Sequence, residues 1–171
     1  MMPENRHPAT LPDEQLLAEC SRTTTRRTGP GGQHRNKVET AVVLTHKPTG
    51  LRGEGSETRS QARNGEAALF RLRQTLAEEI RAPVEVEAPP SELWRSRAPK
   101  RKLTVADDHA DFPALLAEAL DRVAATEYEV AAAAEKLAVS TTQLVRFLQQ
   151  APVAWKRINA ERRSRNLRPL S

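Results

Sequence analysis

The stretch AVVLTHKPTGLRGEGSETRSQARN, residues 41–64, contains the pattern that decides the fold of the first half of the chain. Its apolar, β-branched start, AVVLTH, predicts a strand. The KPTG that follows has the proline and glycine of a tight turn, so LRGEGSETR is expected to return as a second strand. Gly53 and Gly55 fall on one face of that strand, which indicates that another backbone or a ligand lies close to it.

A long helix is predicted directly after this hairpin. Ser60 can cap its first turn, and Pro83 ends the pattern. Spacings of three and four produce one apolar stripe, formed by Leu69, Leu72, Leu76 and Ile80. Before the hairpin, LLAEC (16–20) and SRTTTR (21–26) are predicted as strand, and a glycine cluster separates them from the hairpin.

The second half of the chain is alanine-rich and is predicted to be helical. In DFPALLAEALDRVAAT, Asp111 is the expected N-cap and Pro113 lies in the first turn. EVAAAAEKLAVSTTQLVRFLQQ predicts a helix, a short turn and a second helix capped by Ser140, which is the sequence form of a helix-turn-helix. A further helix and a basic tail follow.

The predicted fold class is α+β, with a small domain of mixed strands and a packed helix followed by an all-α, helix-turn-helix-like domain. The expected division is a flexible N-terminus (1–10), the mixed domain (11–82), a basic, proline-rich linker (83–110) and the helical domain with its basic tail (111–171). RSRAPKRK is the basic core of the linker. A solvated connection and a contact with RNA both fit that composition.

The composition favours a nucleic-acid partner. The 171 residues have a formal net charge of +5, which attracts anions, and only 4% are aromatic, which limits stacking on bases. The single cysteine, Cys20, excludes an internal disulfide and fits a reducing cytoplasm. Because the histidines are scattered, we expect no metal and no cofactor. No apolar run is long enough to predict a membrane span.

The glycine cluster lies in TTTRRTGPGGQHRNKVET, residues 23–40, and does not fit a nucleotide-binding motif. It lacks the spacing of a dinucleotide fingerprint and the Gly-Lys-Ser/Thr of a P-loop. Glycines allow backbone conformations that other residues avoid, so a backbone N–H could face a developing oxyanion. An anion-binding turn is the other interpretation, with phosphates held by Arg26, Arg27, Arg35 and Lys37.

Three sequence blocks occur together between residues 26 and 64. GGQ at 31–33 has a glycine two residues before it and His-x-Asn after it, and THKPTG and RSQARN follow in order. In this combination the stretch resembles the catalytic domain of class I peptide-chain release factors. The resemblance covers roughly residues 11–82, under half of the chain.

The resemblance implies hydrolysis of the ester that joins a nascent peptide to tRNA, at the peptidyl-transferase centre of the large ribosomal subunit. Gly31, Gly32 and Gln33 would be catalytic: the Gln33 backbone N–H would stabilise the oxyanion or the leaving 3′ oxygen, and its side chain would admit water. Gln33 would also be the substrate of a glutamine methyltransferase. Contacts with rRNA or tRNA are expected from Arg26, Arg27, His34, Arg35, Asn36, Lys37, Arg59, Ser60 and Gln61.

The sequence departs from release factors in what surrounds this domain. Few residues precede it, whereas release factors have a large codon-reading domain there. We therefore expect a codon-independent activity, as in the short ribosome-rescue peptidyl-tRNA hydrolases, in a cytoplasmic monomer. Anchoring on the ribosome is expected from Lys156, Arg157, Arg162, Arg163, Arg165 and Arg168.

Two other functions fit parts of the sequence. One is a non-catalytic protein that binds rRNA or the ribosome and keeps the loop. The other is a nucleic-acid-binding regulator that uses the helix-turn-helix. Its recognition helix would present Thr141, Thr142, Gln143 and Arg146, which supply few of the cations that phosphate contacts need.

Overall fold

The computed structural model describes residues 6–26 and 39–171. The chain forms two compact units. One consists of Pro8–Glu79, and the other consists of Ile80–Ser171 together with the residues before Pro8. Among the described helices, none combines the length and the apolar character needed to cross a bilayer.

The first unit is built on an antiparallel sheet with the order β1-β2-β3, formed by β1 (Cys20–Thr25), β2 (Ala41–His46) and β3 (Arg52–Gly55). The hairpin prediction is confirmed, because β2 pairs with β3 through a turn that ends at Gly50. Gly50 has φ +73°, a left-handed conformation that glycine adopts without strain, and its N–H donates to the His46 carbonyl over 2.7 Å.

Helix α2 (Gln61–Glu79) packs on β2 and β3 and buries Ala68, Leu72 and Leu76 completely. A Cβ added to Gly53 would lie 2.1 Å from the Ala68 carbonyl oxygen, and one added to Gly55 would lie 2.0 Å from the Asn64 carbonyl oxygen. The predicted close approach at both glycines is therefore confirmed, and the neighbour is the backbone of α2. Within the stripe, Leu69 is only half-buried and Ile80 lies beyond the helix, in the other unit.

The prediction of strand for LLAEC is wrong, because α1 (Asp13–Ala18) occupies most of it and β1 begins only at Cys20. Acidic residues in the first turn favour this short helix. Leu16 is fully buried whereas Leu17 is 41% exposed, so only one of the two leucines is a core residue.

The expected flexible N-terminus also differs from the structure between His7 and Thr10. Pro8–Thr10 form a 3-10 helix with Ala9 fully buried. Arg73 donates to the Ala9 carbonyl over 2.8 Å and pairs with Asp13 over 2.6 Å, which fixes this segment on α2.

The second unit is helical and has an aromatic core. Its elements are α3 (Glu92–Arg97), a 3-10 helix (Pro99–Arg101), α4 (Phe112–Ala125), α5 (Val130–Lys136), α6 (Thr141–Gln149) and α7 (Pro152–Ser164). Phe147 contacts Trp94 edge-to-face at 5.9 Å between ring centroids, and it contacts Phe112 at 5.1 Å. These rings join α3, α4 and α6 around one core.

The segment 83–110 is therefore not a solvated connection throughout. Trp94 is fully buried, and its indole N–H donates to the Leu137 carbonyl over 2.8 Å. The buried Arg122 of α4 donates to the carbonyls of Glu85, Val86 and Ala88, at 2.5 to 3.1 Å. An extended stretch with many prolines can pack in this way when its carbonyls meet a buried guanidinium.

The predicted helix ends in the second unit are partly confirmed. Ser140 Oγ accepts the N–H of Gln143, and Pro113 lies in the first turn of α4. Asp111 occupies the N-cap position of α4, but its carboxylate binds Arg97 over 2.6 Å rather than a helix N–H. The helix-turn-helix character of α5 and α6 stays a prediction.

Candidate functional site at the stem of the glycine loop

The predicted catalytic residues, Gly31, Gly32 and Gln33, lie outside the described residues. So do Arg27, His34, Arg35, Asn36 and Lys37. The structure describes the stem that carries them, which consists of the end of β1 and the start of β2. Thr25 lies opposite Ala41 in the antiparallel register, so β1 ends and β2 begins at the same end of the paired strands.

Glu39 connects both sides of this stem with helix α2. Its carboxylate lies 3.5 Å from Nε of Arg26, and it accepts the hydroxyl of Thr24 over 3.2 Å. Its backbone carbonyl accepts Nε2–H of Gln61 over 2.6 Å. Because Arg26 and Glu39 are largely exposed, their ion pair contributes little to stability, about 0–1 kcal/mol. The connection of the stem to α2 therefore depends mainly on the hydrogen bond between Gln61 and the Glu39 carbonyl.

Asn64 is fully buried directly behind the stem. Its Nδ2 donates to the Thr40 carbonyl over 2.7 Å and to the Thr58 carbonyl over 2.8 Å. Its Oδ1 accepts the Thr58 N–H over 3.0 Å. Both amide donors are thus used inside the protein, and one side chain joins the start of β2, the β3–α2 connection and α2 itself.

Asn64 belongs to the RSQARN block but was not predicted as a site residue. One signal could have identified it: Asn64 lies eight residues, about two turns, before the stripe residue Leu72, so a polar side chain faces the core at a helical position. A buried amide at such a position needs partners from the backbone. Glu39 carried no such signal, because an exposed glutamate next to a strand is common.

Two residues predicted to bind RNA, Ser60 and Arg59, differ in their surroundings. Ser60 Oγ accepts the N–H of Arg63 over 3.3 Å, so this hydroxyl caps α2 as predicted. Arg59 is exposed and forms no hydrogen bond or ion pair with the part of the chain that the structure describes. Arg59 therefore keeps an unpaired positive charge among the described residues, whereas Arg26 pairs with Glu39 and Ser60 has a structural partner.

The described part of the stem is held by hydrogen bonds to Glu39 and Thr40 and by one ion pair between exposed side chains. Within residues 6–26 and 39–171, no group of three or more His, Cys, Asp or Glu side chains could hold a metal ion. The described contacts hold Arg26, Glu39 and Thr40 in place, and two exposed guanidinium groups, those of Arg26 and Arg59, belong to this part of the chain. Such an arrangement orients a backbone group and attracts phosphates.

The six C-terminal cations proposed as anchors do not form one set. Arg162 is buried and donates to the carbonyls of Arg168 and Tyr128. Arg165 pairs with Glu161, and its guanidinium lies 4.4 Å from the centre of the Tyr128 ring. These two arginines hold α7 in its own unit, so a general anchoring role does not fit them.

The basic tail also folds back on α7 instead of extending from it. The Leu167 N–H donates to the Arg162 carbonyl over 2.8 Å, and the Leu170 N–H donates to Oδ1 of Asn159 over 2.7 Å. The remaining exposed cations there are Lys156, Arg157, Arg163 and Arg168. For these residues, ribosome anchoring stays a prediction.

Residues 14–109 match the family model described as the RF-1 domain, and this span is more than half of the 171-residue chain. The chain belongs to the RF-1 domain family. The matched span contains the whole stem, with Glu39, Gln61 and Asn64. It also extends past Glu79 into the second unit, through the segment that the sequence analysis had assigned to a linker.

Curated relatives of this RF-1 domain chain are named as release factors. It is 45% identical over 85 residues to "Peptide chain release factor PrfB1, chloroplastic" of Arabidopsis thaliana, covering 48% of this chain and 18% of that protein. It is 47% identical over 64 residues to "Peptide chain release factor 1" of Leptothrix cholodnii, covering 37% and 18%. The chain thus spans about a fifth of the length of these relatives. No solved structure matches it.

Proposed function

We propose that this chain promotes hydrolysis of the peptidyl-tRNA ester on the ribosome, with the GGQ segment at 31–33 as its catalytic loop. The observation that supports the proposal is the set of contacts around Glu39 and Asn64, which holds the described residues on either side of that segment, Arg26, Glu39 and Thr40, to each other and to α2. Membership of the RF-1 domain family and the names of the relatives support the reaction class.

In the proposed reaction, a water oxygen attacks the ester carbonyl carbon, and negative charge develops on the carbonyl oxygen. The bond to the tRNA 3′ oxygen then breaks, and that oxygen receives a proton that originates from the water. The backbone N–H of Gln33 would donate to the developing oxyanion, and the Gln33 side chain would leave room for water only. Most of the rate acceleration comes from positioning within the ribosomal pocket, so the chain needs no acid–base pair.

The proposed contacts with RNA follow from the charges at the stem. Arg59 is exposed and unpaired among the described residues, and Arg26 is exposed but pairs with Glu39, so Arg59 is the better suited of the two to phosphates of rRNA or of the tRNA acceptor end. Gln61 acts indirectly, since its amide donates to the backbone of Glu39 and sets the position of the stem. Methylation of the Gln33 amide is part of the same proposal.

We also propose that hydrolysis does not depend on the codon. The support comes from the second unit, whose Trp94, Phe112 and Phe147 rings form its core and are not available to stack on bases. Its exposed cations, such as Lys156 and Arg163, suit phosphate contacts that are independent of sequence.

The experiment measures release of a labelled peptide from ribosome-bound tRNA with an empty A site, with a sense codon or with a stop codon. We expect equal rates on all three substrates. Gln61→Ala removes the donor to Glu39 and should slow release about five- to tenfold, the rate equivalent of one net hydrogen bond. Gln15→Ala, the same change at an exposed glutamine of α1, is the matched control and should release at the wild-type rate.

Two outcomes contradict the proposal in different ways. A clear preference for stop codons would contradict codon independence and leave the hydrolysis intact. Ribosome binding without release on any substrate would instead favour the non-catalytic, ribosome-binding alternative.

A further inference from the structure

A second concentration of positive charge lies in the other unit, far along the chain from the loop. The stretch RSRAPKRK, residues 95–102, is named here the basic turn. Arg97 pairs with Asp111, whereas Lys100, Arg101 and Lys102 are exposed. Across residues 6–26 and 39–171, the side chains of these three form no hydrogen bond or ion pair. Their charges are therefore available to an external anion.

The basic turn is fixed by buried residues on both sides. Trp94 precedes it and is held in the core through the Leu137 carbonyl. Leu103 and Val105 follow it and are each 8% exposed, and the Val105 carbonyl accepts Nε2–H of Gln150 over 3.2 Å. A turn held at both ends presents its cations from a defined backbone, so little backbone order remains to be gained on binding.

The backbone of the turn has an unusual conformation for the residues it carries. Lys100 has φ 52° and Arg101 has φ 65°, both in the left-handed region that favours glycine. The Lys102 N–H closes the turn on the Pro99 carbonyl over 3.0 Å. Glycine would suit both positions better for folding alone, so their long cationic side chains point to a role outside folding.

Next to the turn is an open cleft of about 540 Å³. Its lining consists of Ser96, Arg97, Pro99, Lys100, Lys102 and Thr104. This lining combines cations with hydroxyl groups and contains no carboxylate and no aromatic ring, so it suits phosphate oxygens and offers nothing for base stacking. It also lacks the large apolar side chains with which a protein enters a lipid surface.

We propose that the basic turn is an RNA-binding site that contacts the phosphodiester backbone and reads no base sequence. The choice of RNA as the polyanion rests on the proposed function, since that function takes place on the ribosome. The site itself lies in the second unit and needs none of the loop residues.

The test uses the full chain and a fluorescein-labelled RNA hairpin, with binding measured by anisotropy across a potassium chloride series. Lys100→Gln with Lys102→Gln removes two charges from the cleft. It should make the slope of log affinity against log salt shallower by about 1.5, since each lost phosphate contact accounts for roughly 0.7–0.9. The matched control, Lys47→Gln with Arg52→Gln, removes the same charge from exposed positions elsewhere and should change the slope by less than half as much. Equal changes in the two variants would overturn the proposal.

A second variant separates binding from folding. Lys100→Gly with Arg101→Gly removes two charges and relieves the left-handed backbone, so its melting temperature should equal or exceed that of the wild type. Its RNA affinity should fall about tenfold at low salt; wild-type affinity would overturn the proposal. Binding to phosphatidylglycerol vesicles is measured as well. If the wild type binds the vesicles more tightly than RNA, and Lys100→Gln with Lys102→Gln abolishes vesicle binding, the site is a lipid site and the proposal is overturned. No release chemistry is measured, so failure here leaves the proposed function untouched.

Discussion

At the scale of single residues, Asn64 connects the fold with the candidate site. Its amide joins Thr40, Thr58 and helix α2 in a position that water does not reach. Burying an amide is unfavourable unless its donors and acceptors are satisfied, and here the backbone at the base of the loop satisfies them. The same contacts that stabilise the unit therefore hold the loop stem.

The first prediction concerns this amide. Asn64→Ala leaves the Thr40 and Thr58 carbonyls and the Thr58 N–H without their buried partner. It should lower the free energy of unfolding of the first unit by roughly 2–4 kcal/mol. Urea unfolding followed by circular dichroism measures this change, and hydrogen exchange at the α2 amides assigns it to that unit.

Gln74→Ala is the control on the same helix, since the Gln74 side chain makes one long contact, 3.5 Å to Glu78. Its unfolding free energy should change by less than about 0.5 kcal/mol. If both variants unfold alike, Asn64 is not the connection that we describe.

At the scale of elements, the sequence predicted the packing best where close contact with a neighbouring element requires a particular residue. The paired glycines of β3 predicted a close neighbour, and α2 proved to be that neighbour. The sequence was least informative where a short apolar stretch fits two structures. LLAEC has no period long enough to separate a helical turn from a strand, and the buried Leu16 next to the exposed Leu17 fits either structure.

The second prediction compares two glycines of the hairpin. Gly53→Ala puts a methyl group 2.1 Å from the Ala68 carbonyl oxygen, so β3 and α2 must separate. The cost should be about 3 kcal/mol or more. Gly50→Ala meets nothing within 4 Å, and only its positive φ is unfavourable, which costs roughly 1–2 kcal/mol.

Urea unfolding of both alanine variants measures this difference. Gly50→Asn, which tolerates a left-handed backbone better, should recover part of the smaller loss. A larger loss for Gly50→Ala than for Gly53→Ala would contradict the packing of α2 on β3.

At the scale of the whole molecule, the sequence predicts two regions of different character joined by a linker at 83–110, and the structure describes a fully buried residue, Trp94, within that segment. The many prolines and charges at 83–110 predict a linker. Composition averages over the segment, so it does not indicate that one residue within it, Trp94, is fully buried. The cations of the last helix looked equivalent in sequence for a similar reason. In the structure Arg162 is buried and Lys156 is exposed. The burial of Arg162 depends on contacts with residues distant in sequence, such as Tyr128.

The third prediction concerns the pH dependence of the second unit. Burial lowers the pKa of His7 from 6.5 to about 4, although its ring hydrogen-bonds to the Ile80 carbonyl. Burial raises the pKa of Asp121 from 3.8 to about 6, against the opposing effects of the Ala82 N–H and Arg81. The two side chains shift in opposite directions within one unit.

The signs of the two contributions are opposite. Between about pH 4 and 6.5 the unfolded chain binds more protons at His7, so the His7 contribution to stability rises with pH. Between about pH 3.8 and 6 the folded chain binds more protons at Asp121, so that contribution falls as pH rises. The two contributions nearly cancel, so together they should leave the wild-type free energy of unfolding almost independent of pH from pH 4 to 6.

Substituting one of the two residues should reveal how the free energy of unfolding changes with pH because of the other. His7→Gln should lose about 3 kcal/mol as pH rises through that window, and Asp121→Asn should gain a similar amount, since one pKa unit corresponds to about 1.4 kcal/mol. Urea unfolding followed by tryptophan fluorescence is suited to this test, because Trp94 and Trp155 both belong to the second unit. Flat profiles for both variants would contradict these pKa shifts.

The central claim is that a backbone N–H at position 33 stabilises the oxyanion of ester hydrolysis, and one pair of variants tests it most directly. Gln33→Ala removes the side chain and keeps the N–H, whereas Gln33→Pro removes the N–H as well. The measurement is single-turnover release of a labelled peptide from ribosome-bound tRNA at saturating protein, with ribosome binding measured in parallel. We predict that Gln33→Pro binds normally but releases at least about a hundredfold more slowly than the wild type. Gln33→Ala should lose less and accept hydroxylamine as a nucleophile. Release by Gln33→Pro at the rate of Gln33→Ala would contradict the account.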